Sequence, residues 1–307
     1  MDAELMLVTD KTTWRNLVAR TVGVQIQQGW AYGEALAARG ARVARLLLVE
    51  GGREVGFVQL IGRRPCRGPV LLWHGLGGPC WLRAGAEGDG AALRLLRRRY
   101  GWRRGAVLLL TPASPLPSLD HQRLQNAGFR QAMTGYTTAV LDLEHPLAAL
   151  RRGLHGDWRR RLQRGPDAAL ALAWCHPWAD PLGLEALLTA DAAAARQRGY
   201  HGLPPALVRQ LARQGDGLLA LARARDQPVA AMLFLRQGAT ALYQTGWSDA
   251  VGRSGFAHHH LLWGAIERLA ADGCRQLDLG GLNVPAGIVR FKLASGATPR
   301  TFAGTFA

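Results

Sequence analysis

Apolar runs at residues 42–49 (RVARLLLV) and 55–61 (VGFVQLI) flank the polar turn EGGRE, and runs at 218–221 (LLAL) and 229–235 (VAAMLFL) flank a charged turn at 225–227. Two β-rich runs about a short polar turn predict a hairpin. Each predicted hairpin has the same neighbours. Helix-like segments precede it, at residues 11–20 and 30–39 in one case and 182–198 and 204–214 in the other. A third strand follows (70–73 or 240–245), then a helix (89–102 or 256–271), then another strand (107–110 or 276–279). Within the second of these helices Leu262, Ile266 and Leu269 recur at helical spacing, which turns one face to a sheet.

The pattern therefore predicts a duplication with its boundary near residue 145: an amino-terminal domain over 1–145 and a carboxy-terminal domain over 146–307, which carries the transfer site. A length of 307 residues suits two domains. Strand, two helices, three antiparallel strands, helix, strand is the order of the GNAT acyltransferase fold. The expected class is α/β (α+β), a tandem of GNAT-like domains. Each has a mixed, mostly antiparallel sheet flanked by helices and splayed between its fourth and fifth strands. Between the halves, residues 145–164 (HPLAALRRGLHGDWRRRLQR) read as one basic helix, with Pro146 in its first turn.

Composition narrows the partners. Hydrophobic residues are 48% of the chain, charged residues 20%, and the formal net charge is +16; this is a globular chain whose charge favours polyanions. Only two of its 38 basic residues are lysines, Lys11 and Lys292. An arginine bias of this size, beside so much alanine and glycine, fits a GC-rich coding background, which weakens the nucleic-acid argument but singles out Lys292. A lysine is a compact point charge where an arginine is a wide planar fork. The start MDAELMLVTD has no basic n-region, and no apolar run approaches the ~18 residues that span a bilayer, so neither a signal peptide nor a transmembrane helix is expected. Cys66, Cys80, Cys175 and Cys274 lie far apart and read as free thiols of a cytoplasmic protein.

Four segments carry candidate chemistry. Gly252, Gly255 and Ala257 form G-x-x-G-x-A at the start of a helix, where backbone amides can cradle a donor's phosphates; a glycine turn into a helix is the plainer reading. His258, His259 and His260 are consecutive, so on a helix they point ~100° apart and cannot share one metal ion. His74 lies in HGLGGP, similar to a lipase oxyanion loop, but the chain has no G-x-S-x-G elbow, and a glycine-rich turn is expected there. The fourth segment runs CRQLDLGGLNVPAGIVRFKLASGATPRTFAG. A strand ending at Asp278, a Gly-Gly turn, and a short apolar turn with Phe291 and Lys292 suggest a crevice past a strand's carboxyl end.

These residues resemble the FemAB family, GNAT-fold proteins that transfer amino acids from aminoacyl-tRNA to amines of peptidoglycan precursors. The likeness is carried by QIQQGWAYGEA, AVLDLEHPLAALRRGLHGDWRRRLQR, AAARQRGY, ALYQTGWSDA, HHLLWGAIERLAADGCRQLDLGG and GIVRFKLASGATP. The resemblance implies that Phe291 and Lys292 are the family's Phe-Lys pair at the reacting centre, that Arg196 and Tyr200 contact the precursor, and that Tyr243 is a second substrate tyrosine. Where the family has a lysine for the precursor's phosphates after its early Q-x-x-W segment, Glu34 stands nearby. The long helical arm of some members is missing.

The expected activity is thus transfer of an aminoacyl or acyl group to an amine acceptor, a cell-envelope precursor, for cell wall biogenesis. Lys292 would be the stabilising cation, and Asp278 would orient or deprotonate the amine or else cap the Gly-Gly turn. No permanent cofactor and no metal are expected; aminoacyl-tRNA or acyl-CoA is the co-substrate. The alternatives are an acyl-CoA-dependent GNAT N-acyltransferase and a non-catalytic basic protein binding RNA or a membrane surface. The expected location is the cytoplasm, with a peripheral place at the inner face of the membrane as a variant.

Overall fold

The computed structural model describes residues 2–64, 69–82, 90–115, 118–167, 169–199 and 202–307. The chain divides into two compact units, Met1–Thr137 with Arg300–Ala307 and Thr138–Pro299.

In the first unit the order is β1 (Ala3–Leu7), α1 (Lys11–Ala19), α2 (Trp30–Ala37), β2 (Arg42–Glu50), β3 (Arg53–Arg63), β4 (Leu71–Gly77), β5 (Cys80–Trp81), α3 (Ala91–Tyr100), β6 (Ala106–Pro112), α4 (Leu119–Asn126) and β7 (Gln131–Met133). The second has β8 (Thr137–Asp142), α5 (Leu147–Gly153), α6 (Gly156–Gln163), β9 (Leu170–Cys175), α7 (Pro181–Arg198), α8 (Pro205–Gln214), β10 (Asp216–Ala224), β11 (Gln227–Gln237) and β12 (Thr240–Ser248). It continues with α9 (Ala250–Ser254), α10 (Ala257–Ala271), β13 (Gln276–Gly281), α11 (Ala286–Ala294) and β14 (Thr298–Thr301); the chain ends in β15 (Thr305–Phe306).

The predicted hairpins are β2–β3 and β10–β11, both antiparallel. One sheet is ordered β1-β2-β3-β4-β6-β15-β7 and the other β14-β8-β13-β12-β11-β10-β9. In each, the hairpin's third strand runs parallel to the strand after the next long helix, β4 with β6 and β12 with β13. The duplication is a tandem of GNAT-like folds.

Each sheet also takes in a strand from across the duplication: β15 lies between β6 and β7, and β8 between β13 and β14. The compact units thus divide at 137/138 and give residues 300–307 to the first, where the sequence pattern sets a boundary near 145 and keeps the whole carboxy-terminal segment in the second. Phe306, fully buried, joins Leu108 and Leu110 in the first unit's core, while Ala139 and Leu141 join the second's.

The basic helix expected over 145–164 is two helices. Leu154 takes an extended backbone and is buried, and the His155 ring caps α6 by accepting from the Asp157 amide. Burying one leucine between glycine-flanked segments outweighs the hydrogen bonds that an unbroken helix would add. The short turn expected around Phe291 is helix α11.

The early glutamine motif is architectural. Gln28 is fully buried, donates to the carbonyls of Gln59 (3.2 Å) and Leu76 (2.8 Å), and accepts from the Gln59 amide (2.6 Å), tying the approach to α2 onto β3 and β4. A Cβ on Gly78 would stand 2.9 Å from the Gln28 side chain, so HGLGGP, whose residues 74–77 are the end of β4, needs glycine for close approach where the chain leaves the strand. Cys80, Cys175 and Cys274 are free thiols, and Cys66 lies outside the described residues. No described helix is long and apolar enough to cross a membrane.

Candidate active site

The two parallel strand pairs differ in length. In unit 1, β4 and β6 stay paired over seven positions, from Leu71 opposite Ala106 to Gly77 opposite Pro112. In unit 2, β12 and β13 pair only at Thr240–Gln276, Ala241–Leu277 and Leu242–Asp278; beyond these β12 runs on to Ser248 without β13. The register of β12 against β11 also shifts between Leu233 and Phe234, so that Gln244 is passed over. A bulge of this kind bends its strand away from the regular ladder. The split therefore opens in the second sheet, just past Asp278.

Asp278, Gly280, Gly281 and Lys292 meet at the split. Asp278 is 2% exposed; its Oδ1 accepts from the Thr138 hydroxyl of β8 and from the Gly280 amide (2.7 Å). Lys292 is 5% exposed, and its Nζ donates to the Gly280 carbonyl (3.2 Å) and the Gly281 carbonyl (2.8 Å). Asp278 thus holds the Gly-Gly turn by an amide and Lys292 by its carbonyls. Gly280 sits at φ +79°, where a side chain is strained, and the Tyr243 carbonyl and Lys292 Nζ border the space a Cβ would take. Burial pulls the Lys292 ammonium below the usual lysine range, while Asp278 pulls the other way.

Phe291, one residue earlier on α11, belongs to a separate aromatic wall. Its ring lies 5.2 Å from His259 edge-on and 6.0 Å from Trp158. His155, Asp157, Trp158 and Arg161 of α6 and its cap, His259 of α10, and Gly287, Arg290, Phe291 and Ala294 of α11 enclose a half-open pocket of about 160 Å³. Arg161 Nη1 lies 3.3 Å from His259 Nε2, and its guanidinium sits over the Phe256 ring, which is held at φ +53° at the start of α10. A bulky residue at positive φ is a genuine outlier, of the kind that clusters where a site is pre-organised. The sequence reading missed Trp158, Arg161 and Arg290; two helical turns of basic residues carry no mark that separates a pocket cation from a solvated one.

The three histidines part as expected: His258 Nε2 lies 2.9 Å from the Trp247 carbonyl, His259 faces Arg161, and His260 is buried elsewhere. Burial first, then the Arg161 charge, hold His259 down at about 4. An unfolded histidine takes its proton near pH 6.5, so its stabilising contribution is complete above that pH and is lost as the pH falls towards 4. We expect His259→Phe, which keeps the ring packing, to lose about 2–3 kcal/mol less stability than the wild type between pH 7 and 4. Denaturant unfolding at the two pH values checks this; equal losses in both proteins would contradict it.

The glycines of the expected donor cradle have partners within the fold. The Gly252 amide donates to Asp249 Oδ1 (2.8 Å) and the Gly255 amide to the Val251 carbonyl (3.0 Å). A Cβ on Gly252 would meet the Val229 carbonyl at 2.5 Å, one on Gly255 would meet Leu170 at 2.6 Å, and Ala257 is fully buried. Small residues are required here by packing against β11 and β9. Of the substrate residues, Tyr243 is half-buried with its ring 5.7 Å from Phe234. Arg196 is exposed near the end of α7, and Tyr200 lies outside the described residues. Glu34 pairs with the buried Arg45 (2.8 Å), which also donates to Gln59 Oε1 (2.7 Å) and stacks on Trp30. Its charge is balanced inside unit 1.

The split between the parallel strands β12 and β13, beside a Gly-Gly turn, thus lies in one half of a tandem GNAT-like fold. Residues 147–293 match the family model for the acetyltransferase (GNAT) domain, and the protein is an acyltransferase. Its fold is that of FemX: a solved FemX structure is 15% identical, with 99% of this chain covering 96% of that one at a TM-score of 0.82. A tandem GNAT protein from the clavulanic acid biosynthesis pathway is 15% identical (99% and 98% covered, TM-score 0.53). The carboxy-terminal domain of a putative lysylphosphatidylglycerol synthetase from Agrobacterium fabrum is 14% identical (95% and 91% covered, TM-score 0.56). Among curated proteins none matches.

Proposed function

We propose that the protein transfers an aminoacyl group from aminoacyl-tRNA to an amine of a cell-envelope precursor, at the split between β12 and β13. The amine nitrogen attacks the donor's ester carbonyl. A carbon–nitrogen bond forms, the ester carbon–oxygen bond breaks, and the proton lost by nitrogen ends on the departing ribose hydroxyl.

The single observation that carries this reading is the three-residue pairing of β12 with β13, which leaves Lys292, Asp278 and the Gly-Gly turn where a donor carbonyl enters. Positioning two substrates there supplies most of the rate, with stabilisation of the developing oxyanion added to it. Lys292 holds the Gly280 and Gly281 carbonyls and brings a positive charge to the turn; Asp278, fixed by Thr138, orients the incoming amine. The adjoining pocket, with its Trp158 and Phe291 rings and the Arg161 and Arg290 cations, suits a base stacked beside a phosphate. Arg196, Tyr200 and Tyr243 are the proposed contacts to the precursor. The FemX likeness supports the tRNA donor.

The acetyltransferase-domain match favours a second reading, acyl-CoA as donor to the same split. The engaged amides of Gly252 and Gly255 count against the phosphate cradle that reading uses. Incubation of the purified protein with radiolabelled aminoacyl-tRNAs and acyl-CoAs, each with an amine acceptor, decides between them. Deacylation of the tRNA with label in the acceptor is expected. Consumption of acyl-CoA alone would replace the first reading with the second.

A further inference from the structure

Unit 1 holds a pocket of about 160 Å³ that the transfer reading does not use, lined by Gln27, Tyr32, Leu36, Ile61, Arg63, Leu72, His74 and Leu76. It lies between α2 and one face of the β3–β4 pair, where the register sets Ile61 opposite His74 and Arg63 opposite Leu72. The leucines and Ile61 make the walls apolar. Tyr32 is nine-tenths buried and lines the pocket, and none of the described residues hydrogen-bonds its hydroxyl. A tyrosine hydroxyl at the edge of an apolar site normally takes a hydrogen-bond partner. Among the described residues of the lining, Arg63, exposed at the end of β3, is the one cation, and none is a carboxylate.

His74 is fixed in place from behind. Its Nε2 lies 2.8 Å from the Thr111 hydroxyl, which lies 2.9 Å from the Thr305 hydroxyl of β15. Burial keeps the ring below the usual histidine value, so at neutral pH it offers a hydrogen bond rather than a second charge.

We propose that this pocket binds the carboxylate of a small apolar acid, with the carboxylate taken by Arg63 and Tyr32 and the apolar body lodged between Leu36, Ile61, Leu72 and Leu76. A single arginine fork and a neutral hydroxyl match one planar monoanion. The volume is close to that of a cavity that takes benzene and well below a drug-sized site, which sets the ligand at about six to ten non-hydrogen atoms. Here β4 and β6 remain paired throughout, so the site is built for binding and not for the transfer chemistry of the split sheet. The inference stands whichever donor the second unit uses.

Calorimetric titration of the full chain with 4-methylpentanoate and benzoate, against the neutral 4-methylpentanamide, tests it. Both acids are expected to bind with Kd in about the millimolar range, as fragments of this size do. Arg63→Gln and Tyr32→Phe should each weaken them about five- to tenfold, and the amide should bind no better than it does to Arg63→Gln. N-formylvaline, within the same size limit, presents the same chemistry as a peptide terminus: tighter binding than 4-methylpentanoate makes the ligand a peptide carboxylate, and weaker binding makes it a free acid. Equal binding of amide and acid, unchanged binding in both variants, or no heat with either acid overturns the proposal.

Discussion

Lys292→Met is expected to lower single-turnover transfer about 10²–10³-fold, the usual cost of removing one group that stabilises a developing oxyanion. Methionine keeps the unbranched stem and so most of the packing that Lys292 makes at 5% exposure. It loses the ammonium that holds the Gly280 and Gly281 carbonyls and balances Asp278. Leaving two carbonyls and a buried carboxylate without that partner should also cost about 1–3 kcal/mol of stability. Lys292→Arg should recover part of the activity only, because a planar guanidinium does not fit a point contact between two adjacent carbonyls. A purely structural lysine would give the opposite split: lowered stability in Lys292→Met with transfer per folded molecule unchanged. Single-turnover rates, normalised to the folded fraction, therefore decide whether Lys292 takes part in the reaction or only shapes the turn.

Much of this site follows from local pattern, and the rest from pairing that local pattern does not reveal. Hairpins 42–61 and 218–235 were legible because apolar alternation and a polar turn are contained within about 20 residues. Lys292 stood out through composition, as one of two lysines among 38 basic residues. Thr138, by contrast, reaches Asp278 across 140 positions of sequence, and nothing near either residue announces the pair. The predicted splay of both sheets is realised in one alone, since β4 and β6 stay in register to their ends and β12 and β13 do not. Glycines that suit a phosphate also suit a tight helix-to-strand contact, and at Gly252 and Gly255 a Cβ would meet the Val229 carbonyl and Leu170, so the spacing alone does not separate the two uses.

The exchanged strands yield the other large effect. Phe306→Ala should destabilise the first unit, not the second, by about 3–5 kcal/mol, the range for a fully buried phenylalanine whose cavity cannot collapse. Phe306 is 0% exposed, packs edge-on against His121 at 5.2 Å, and stands opposite Leu110 in β6 and Gln131 in β7. Its strand is only two residues long, so the side chain and not the ladder supplies most of what holds β6 and β7 to one sheet. Amide hydrogen exchange separates this from the division read off the sequence, in which residues 146–307 are one domain. The structure predicts faster exchange in β4, β6 and β7, with amides of β10, β11 and β12 keeping their protection. Were the carboxy-terminal segment part of the second domain's own core, protection would fall first in β10–β12, and the two-unit division with its exchanged strands would have to be abandoned.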